Sequence, residues 1–163
     1  MIDTSDILLV LGAGVIFSII ALNTNKMMIN QEQTQIDADL LYSGIAKAQE
    51  YIDHARVLAF DETTVMGGRP NNIPNGFTHQ SNLGTSADND HGTFDDFDDF
   101  NGFATTDTTQ NCIYDISAEV HYANQDHPEE NAGGRTRYKC LTVTVTSPFL
   151  RDTVRLQYVK SFI

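Results

Sequence analysis

The side chains best equipped for chemistry in this sequence are acids. Asp88, Asp90, Asp95, Asp96, Asp98, Asp99 and Asn101 crowd into one short stretch and offer the hard oxygen ligands that calcium takes. Their order departs from the D-x-[DN]-x-[DN]-G loop, so a calcium site built on Asp95, Asp96, Asp98, Asp99 and Asn101 stands against a second reading. In that second reading the stretch is a solvated acidic turn, anchored inward by Phe94, Phe97, Phe100 and Phe103 at every third residue. No other cofactor is expected. His54, His79, His91, His121 and His127 show no ligand spacing, and HExxH and CxxC motifs do not occur. Neither do GxSxG, Walker or GxGxxG signatures, so the sequence predicts no enzyme. Asp3 and Asp6, beside a long apolar run, are the remaining polar groups of interest.

Charge narrows the partners. With 10 Lys+Arg against 22 Asp+Glu, the chain carries a formal charge of −12, and the counterion release that drives binding to a polyphosphate backbone is not available to it. Nucleic acid is excluded as a partner. The acids cluster: from Pro70 to Gly134 there is no Lys or Arg, whereas Arg135, Arg137, Lys139, Arg151, Arg155 and Lys160 sit near the end. A basic C-terminal piece is therefore expected to face an acidic middle, within one subunit or between copies.

These groups must be positioned by a few elements. Residues 7–22 read ILLVLGAGVIFSIIAL, apolar but for Gly12, Gly14 and Ser18, and would span about 24 Å as a helix. Asp3 and Asp6 precede the run and Asn23-Thr-Asn-Lys26 follows it, so a removable signal peptide is not expected. Beyond Leu22 the pattern becomes amphipathic. Ile29, Ile36, Leu40, Ala48, Ile52, Ala55 and Ala59 form one helical stripe, widened by Leu41, Ile45 and Leu58, opposite Gln33, Asp37, Lys47, Glu50, Asp53 and Arg56. No proline occurs before Pro70. The pattern predicts one helix of about 55 to 60 residues, opened by a capping box of Asp3 and Asp6 and stopped at Met66-Gly-Gly-Arg-Pro70.

A loop region is expected over 67–111 and a sheet after it. Cys112, Tyr114, Ile116, Ala118, Val120 and Tyr122 alternate with polar residues, and Arg137–Thr146 and Thr153–Phe162 read as two more strands. Turns fall at Asn131-Ala-Gly-Gly134 and Ser147-Pro-Phe149. The fold class is α+β: a long N-terminal helix, apolar in its first third and amphipathic afterwards, packed on a C-terminal antiparallel meander. Residues 1–25 form the apolar half-helix, and 26–163 the head, made of the half-helix 26–62, the acidic loop 67–111 and the sheet 112–163.

That architecture, with a cysteine pair toward the C-terminus, resembles the type IV pilins and pseudopilins. The segment Asp95-Asp-Phe-Asp-Asp-Phe-Asn-Gly102 and the closing SPFLRDTVRLQYVKSFI are similar to stretches of minor pilin-like proteins of mannose-sensitive haemagglutinin-type pili. In this numbering Ser5 stands at the family's acidic fifth position and Asp6 one residue on. Either Asp6 replaces that acid or the chain belongs to a divergent branch. The family's helix-breaking proline is absent, and Gly12-Ala-Gly14 or Asn23-Thr-Asn25 would loosen the helix instead.

The resemblance implies a structural subunit of an extracellular, cell-surface filament of the type IV pilus kind, a bacterial fimbrium that resides in the inner membrane before assembly. Its partner is itself. Assembly residues are then Asp3, Asp6, Ile7, Leu8, Leu9, Val10, Leu11, Val15, Ile16, Phe17, Ile19, Ile20 and Leu22, with one aspartate pairing with a neighbour's terminal ammonium or, alternatively, only capping the helix. Outside the cytoplasm Cys112 and Cys140 are expected to form a disulfide, the other reading being two small buried hydrophobes. Two other functions fit the same pattern: a pseudopilin of a secretion apparatus, and a single-pass, membrane-anchored surface binding module.

Overall fold

The computed structural model describes residues 3–84, 90–109 and 112–163. The chain divides into two compact units, Met1–Asp39 and Leu40–Ile163. One helix, α1 (Thr4–Val57, 54 residues), supplies all of the described part of the first unit but Asp3, and the start of the second. It begins where the Asp3 carbonyl accepts from the Asp6 and Ile7 N–H groups, 3.0 and 3.3 Å away. It runs unbroken through Gly12-Ala-Gly14 and Asn23-Thr-Asn25, so neither loosening point predicted from the sequence interrupts it.

In the second unit the helix packs on a four-stranded antiparallel sheet of order β1-β2-β3-β4. The strands are β1 (Ala104–Thr108), β2 (Ile113–Tyr122), β3 (Tyr138–Thr146) and β4 (Val154–Ser161). Ile116 stands between Thr105 and Val145, and Val143 between Ala118 and Leu156. Every second residue of β2 therefore faces the helix. Tyr114, Ile116, Ala118 and Val120 close over Ala48, Tyr51, Ile52 and Ala55, with Leu141, Val143 and Val145 beside them. The α+β meander expected from the alternation is what forms.

Three boundaries differ from the expectation. The helix ends at Val57 rather than 62, because contacts distant in sequence take over its last groups. The Ala59 N–H donates to Asp95 O (3.2 Å), and Ala59 O accepts from the Phe97 N–H (3.0 Å), a bridge that pulls the chain out of helical geometry. The Met66–Pro70 signals act instead on a separate 3-10 turn, Glu62–Gly67, whose N-cap is Asp61 and where Met66 and Gly67 take positive φ. Of the helical stripe, Ile29, Ile36 and Leu41 are exposed, while Gly44 and Tyr51, absent from it, are buried.

The third difference lies in 67–111. Its end is not loop but the edge strand β1, held by Ala118 N–H donating to Phe103 O at 2.9 Å and Gly102 N–H to Ala118 O at 3.0 Å. The region between α1 and β1 has a small core of its own, with Phe60, Phe77, Leu83 and Tyr122 buried together and Ile73 and Phe162 packed on them.

Candidate assembly surface and the buried charge cluster

Two features could carry function, and they lie in different units. The first is the surface of α1 from Ile7 to Leu22. Ile7, Leu8, Leu9, Val10, Leu11, Val15, Ile16, Phe17, Ile19, Ile20 and Leu22 are all exposed, Phe17 by 74%. An 18-residue window of this helix has a mean hydropathy of 2.3 and no buried residue. Exposed apolar surface continues through Met27, Met28 and Ile29, into the part whose pattern predicts an amphipathic helix. By length and composition the helix can cross a membrane. Its few hydroxyls do not oppose that: Ser18 donates to Gly14 O at 2.8 Å and Thr24 to Ile20 O at 2.9 Å. Each satisfies its donor on the helix backbone and leaves no O–H needing water. Asp3 and Asp6 are exposed at the start of the helix, and among the described residues no cation lies within ion-pair distance of either.

The second feature is buried. Asp61 accepts from Thr63 N (3.2 Å), Thr63 Oγ1 (2.8 Å), Thr78 N (2.9 Å to Oδ2), Thr78 Oγ1 (3.1 Å) and Tyr122 OH (3.3 Å). Lys139 of β3 reaches the same carboxylate, with Nζ 2.8 Å from Asp61 Oδ2, 2.5 Å from Asp98 Oδ1 and 2.9 Å from Phe60 O. The rings of Phe60 and Tyr122 flank the ammonium, with centroids 4.7 and 5.2 Å away. Both Lys139 and Asp61 are fully buried.

The acidic turn is thus corrected from a solvated element to an internal one. Phe97 and Phe100 are wholly buried and Phe94 and Phe103 nearly so, as their spacing predicts, but Asp96, Asp98 and Asp99 go in with them and only Asp95 stays outside. Each aromatic of this size contributes roughly 1.5–3 kcal/mol on burial, and the carboxylates follow because backbone donors receive them. Asp96 Oδ1 accepts from the N–H groups of Asp98 (2.8 Å) and Asp99 (3.1 Å), and Asp99 Oδ2 from those of Asp95 (3.0 Å) and Asp96 (3.4 Å).

Electrostatics separates the three carboxyls. Burial pushes Asp96 up to about 8, helped by the charges of Asp98 and Asp99. Burial likewise raises Asp98, an effect that Lys139 only partly offsets. Burial would raise Asp61 too, but the Lys139 ammonium and the Thr63 and Thr78 donors outweigh it, so its carboxyl sits below the ordinary range.

Of the five residues offered for calcium, Asp96, Asp98, Asp99 and Asn101 are spent on other partners. Asp98 meets Lys139 and Asp96 holds the turn, while Asn101 donates to Leu83 O at 3.0 Å and accepts from Val120 N–H at 2.9 Å. Asp90 caps a short turn through the Gly92 N–H, and Asp88 lies outside the described residues. Glu62, Asp95 and Asp96 bring carboxylate oxygens within 4.8 Å of one another, but a cluster of acids alone does not define an ion site.

The expected Cys112–Cys140 disulfide is overturned by the sheet register. Cys140 pairs with His121, nine residues along β2 from Cys112, or roughly 30 Å at the rise of a strand. The two also occupy opposite faces, Cys112 with Tyr114 and Ile116 over the helix, Cys140 with Thr142 and Thr144 away from it. A disulfide needs Cα atoms within about 7 Å. Both cysteines are free and buried, the second of the two readings, and Cys112 Sγ contacts Ser147 Oγ at 3.0 Å.

The basic end and acidic middle do meet inside one subunit, at Lys139–Asp98. Lys139 was legible in principle. It has the inward parity of Leu141, Val143 and Val145 on β3, and an inward lysine demands buried carboxylates. No protein-family model matches the chain, and no curated protein or solved structure shows significant similarity to it.

Proposed function

We propose that this chain is a structural subunit of an extracellular type IV pilus-like filament, inserted in a membrane through α1 before assembly and bundled with copies of itself through the same surface afterwards. The reading is carried by one observation: residues 7–22 of a continuous helix present apolar side chains all round, with none of them buried. A helix apolar on every side is stable only where something apolar surrounds it. Each of its large side chains gains roughly 1.5–3 kcal/mol when covered, which over eleven such residues favours either lipid or neighbouring helices over water. Asp6, in the first turn, is the acid suited to pair with a neighbour's terminal ammonium once the bundle removes both from water. The Leu40–Ile163 unit has its own core and makes the head.

A second reading is favoured by the hydropathy of the same segment, which satisfies the demands of a single membrane span. In that case α1 stays in lipid and the head is an anchored surface module. Negative-stain electron microscopy of sheared cell-surface material decides between them. Long uniform fibres that contain this chain support the filament. Membrane fractionation of the chain with no fibres supports the anchor, and short transient fibres a pseudopilin.

A further inference from the structure

Lys139 sits in an environment that an ion pair alone does not explain. Its Nζ has one carboxylate oxygen at 2.5 Å (Asp98) and another at 2.8 Å (Asp61), with Asp96 adjacent to Asp98 and aromatic rings on either side. One ammonium cannot balance three buried carboxylates, so protons must remain on this group of acids. A buried lysine amine held against a buried carboxylic acid, with water excluded by Phe60 and Tyr122, is the pair of reactants for an amide.

We propose that Lys139 Nζ and Asp98 Cγ condense after folding into an intramolecular amide, with Asp61 shuttling the proton, so that the mature protein carries a covalent cross-link between β3 and the acidic aromatic turn. A proton first passes from the ammonium to Asp98 Oδ1 along their contact, leaving a neutral amine beside a neutral carboxyl. The nitrogen lone pair attacks Cγ and the carbonyl π pair moves to oxygen. Asp61 Oδ2 takes a second proton from Nζ and returns it to the departing hydroxyl, which leaves as water. Of the three ammonium protons one stays on the amide and two leave in the water, so no oxidant, reductant or cofactor is consumed.

The two carboxylates differ in the way these roles require. Asp61 is fixed by Thr63, Thr78 and Tyr122, donors that keep it ionised, so that it holds no proton of its own when it takes one in passing from Nζ to the leaving oxygen. Asp98 is raised by burial, which favours the neutral carboxyl that an amine can attack, and Asp96 beside it holds its backbone N–H at 2.8 Å. Holding the groups in contact replaces a bimolecular encounter with an intramolecular one, worth many orders of magnitude in effective concentration. The dry site also withholds the water that would reverse the reaction. The cross-link goes beyond the filament reading and is independent of it.

Intact-mass spectrometry of the folded full-length chain, denatured just before measurement, tests this directly. The expected mass is that of the sequence less one water. Trypsin should then fail to cut after Lys139, and a branched peptide should join it to the fragment that carries Asp98. Asp61→Asn, checked for folding by circular dichroism, should return to the sequence mass, and Lys139→Arg should do the same. The wild-type mass needs no variant to fold. A folded wild-type protein at the full sequence mass overturns the proposal, as does a water loss confined to one linear peptide or a cross-link that maps to Asp61.

Discussion

Lys160 on β4 places its Nζ 3.1 Å from the carbonyl oxygen of Arg56, in the last turn of α1. The same ammonium takes the carbonyls of Ala55 (3.3 Å) and Leu58. These are groups a helix leaves without partners at its C-terminus, where the dipole also favours a cation. The helix end is thus written into the last strand, and the ring of Phe97 lies 5.5 Å from the same ammonium.

Replacing Lys160 with Met keeps most of the buried stem and removes the charge and its three acceptors. The head should lose about 1–2 kcal/mol, seen as a lower midpoint in urea with an unchanged slope. A midpoint equal to wild type would mean water serves these carbonyls as well as the lysine does.

Asp96 gives the head a pH dependence whose sign is fixed. Its folded value of about 8 lies above the 3.8 of the unfolded chain, so between those values the native state holds more protons. Stability from this group is complete below about pH 4 and is lost as pH rises through 8, by at most about 1.4 kcal/mol per unit. Melting curves at pH 5 and pH 9 should show the lower pH more stable, and Asp96→Asn, which retains the acceptor for the Asp98 and Asp99 N–H groups, should flatten the difference. An equal slope in the variant would assign the effect elsewhere.

Gly84 and Asn101 give a steric prediction. Gly84 has φ +75°, and a Cβ there would stand 2.1 Å from Asn101 O. Asn101 cannot retreat, since it bridges Leu83 O and Val120 N. Gly84→Ala should cost more than about 2 kcal/mol, read from chemical unfolding. A loss of a few tenths would show that the loop moves aside freely.

What the sequence made legible were the features with a period. The alternation of 112–122 and the triplet spacing of Phe94, Phe97, Phe100 and Phe103 each set an inward face, and both faces are where they should be. What stayed hidden was set by distant partners. Nothing local ends a helix at Val57; Asp95, Phe97 and Lys160 do. Strand β1, Ala-Thr-Thr-Asp-Thr, has no apolar alternation because it lies at a sheet edge, and only pairing with β2 makes it a strand. A run of aspartates reads as solvent-facing until the lysine that draws one of them inward is known.

The cysteines follow the sheet register. Two thiols should label under denaturing, non-reducing conditions, and reductant should leave the melting temperature unchanged. One species without free thiols, running as a monomer, would contradict the pairing of His121 with Cys140.

The exposed half of α1 is where assembly and folding come apart experimentally. Leu9 and Ile16, 72% and 61% exposed, belong to the first unit and are not among the residues of the head's core, so Leu9→Asp or Ile16→Asp should leave the head's melting temperature within error of wild type. The same changes set a charge on the surface that, in the proposed function, enters lipid or a helix bundle, at a cost of roughly 2.5–3.5 kcal/mol at a membrane centre. Fibre yield, or membrane association if fibres do not form, should fall severalfold. Asp6→Ala separates the two environments further. Removing an exposed acid at a membrane surface should change little, whereas inside a filament it leaves a neighbour's terminal ammonium without a counter-charge, and fibres should be lost while Asp3→Ala retains them. Equal fibre yields from the two variants would remove Asp6 from the assembly mechanism and leave the apolar surface as its only determinant.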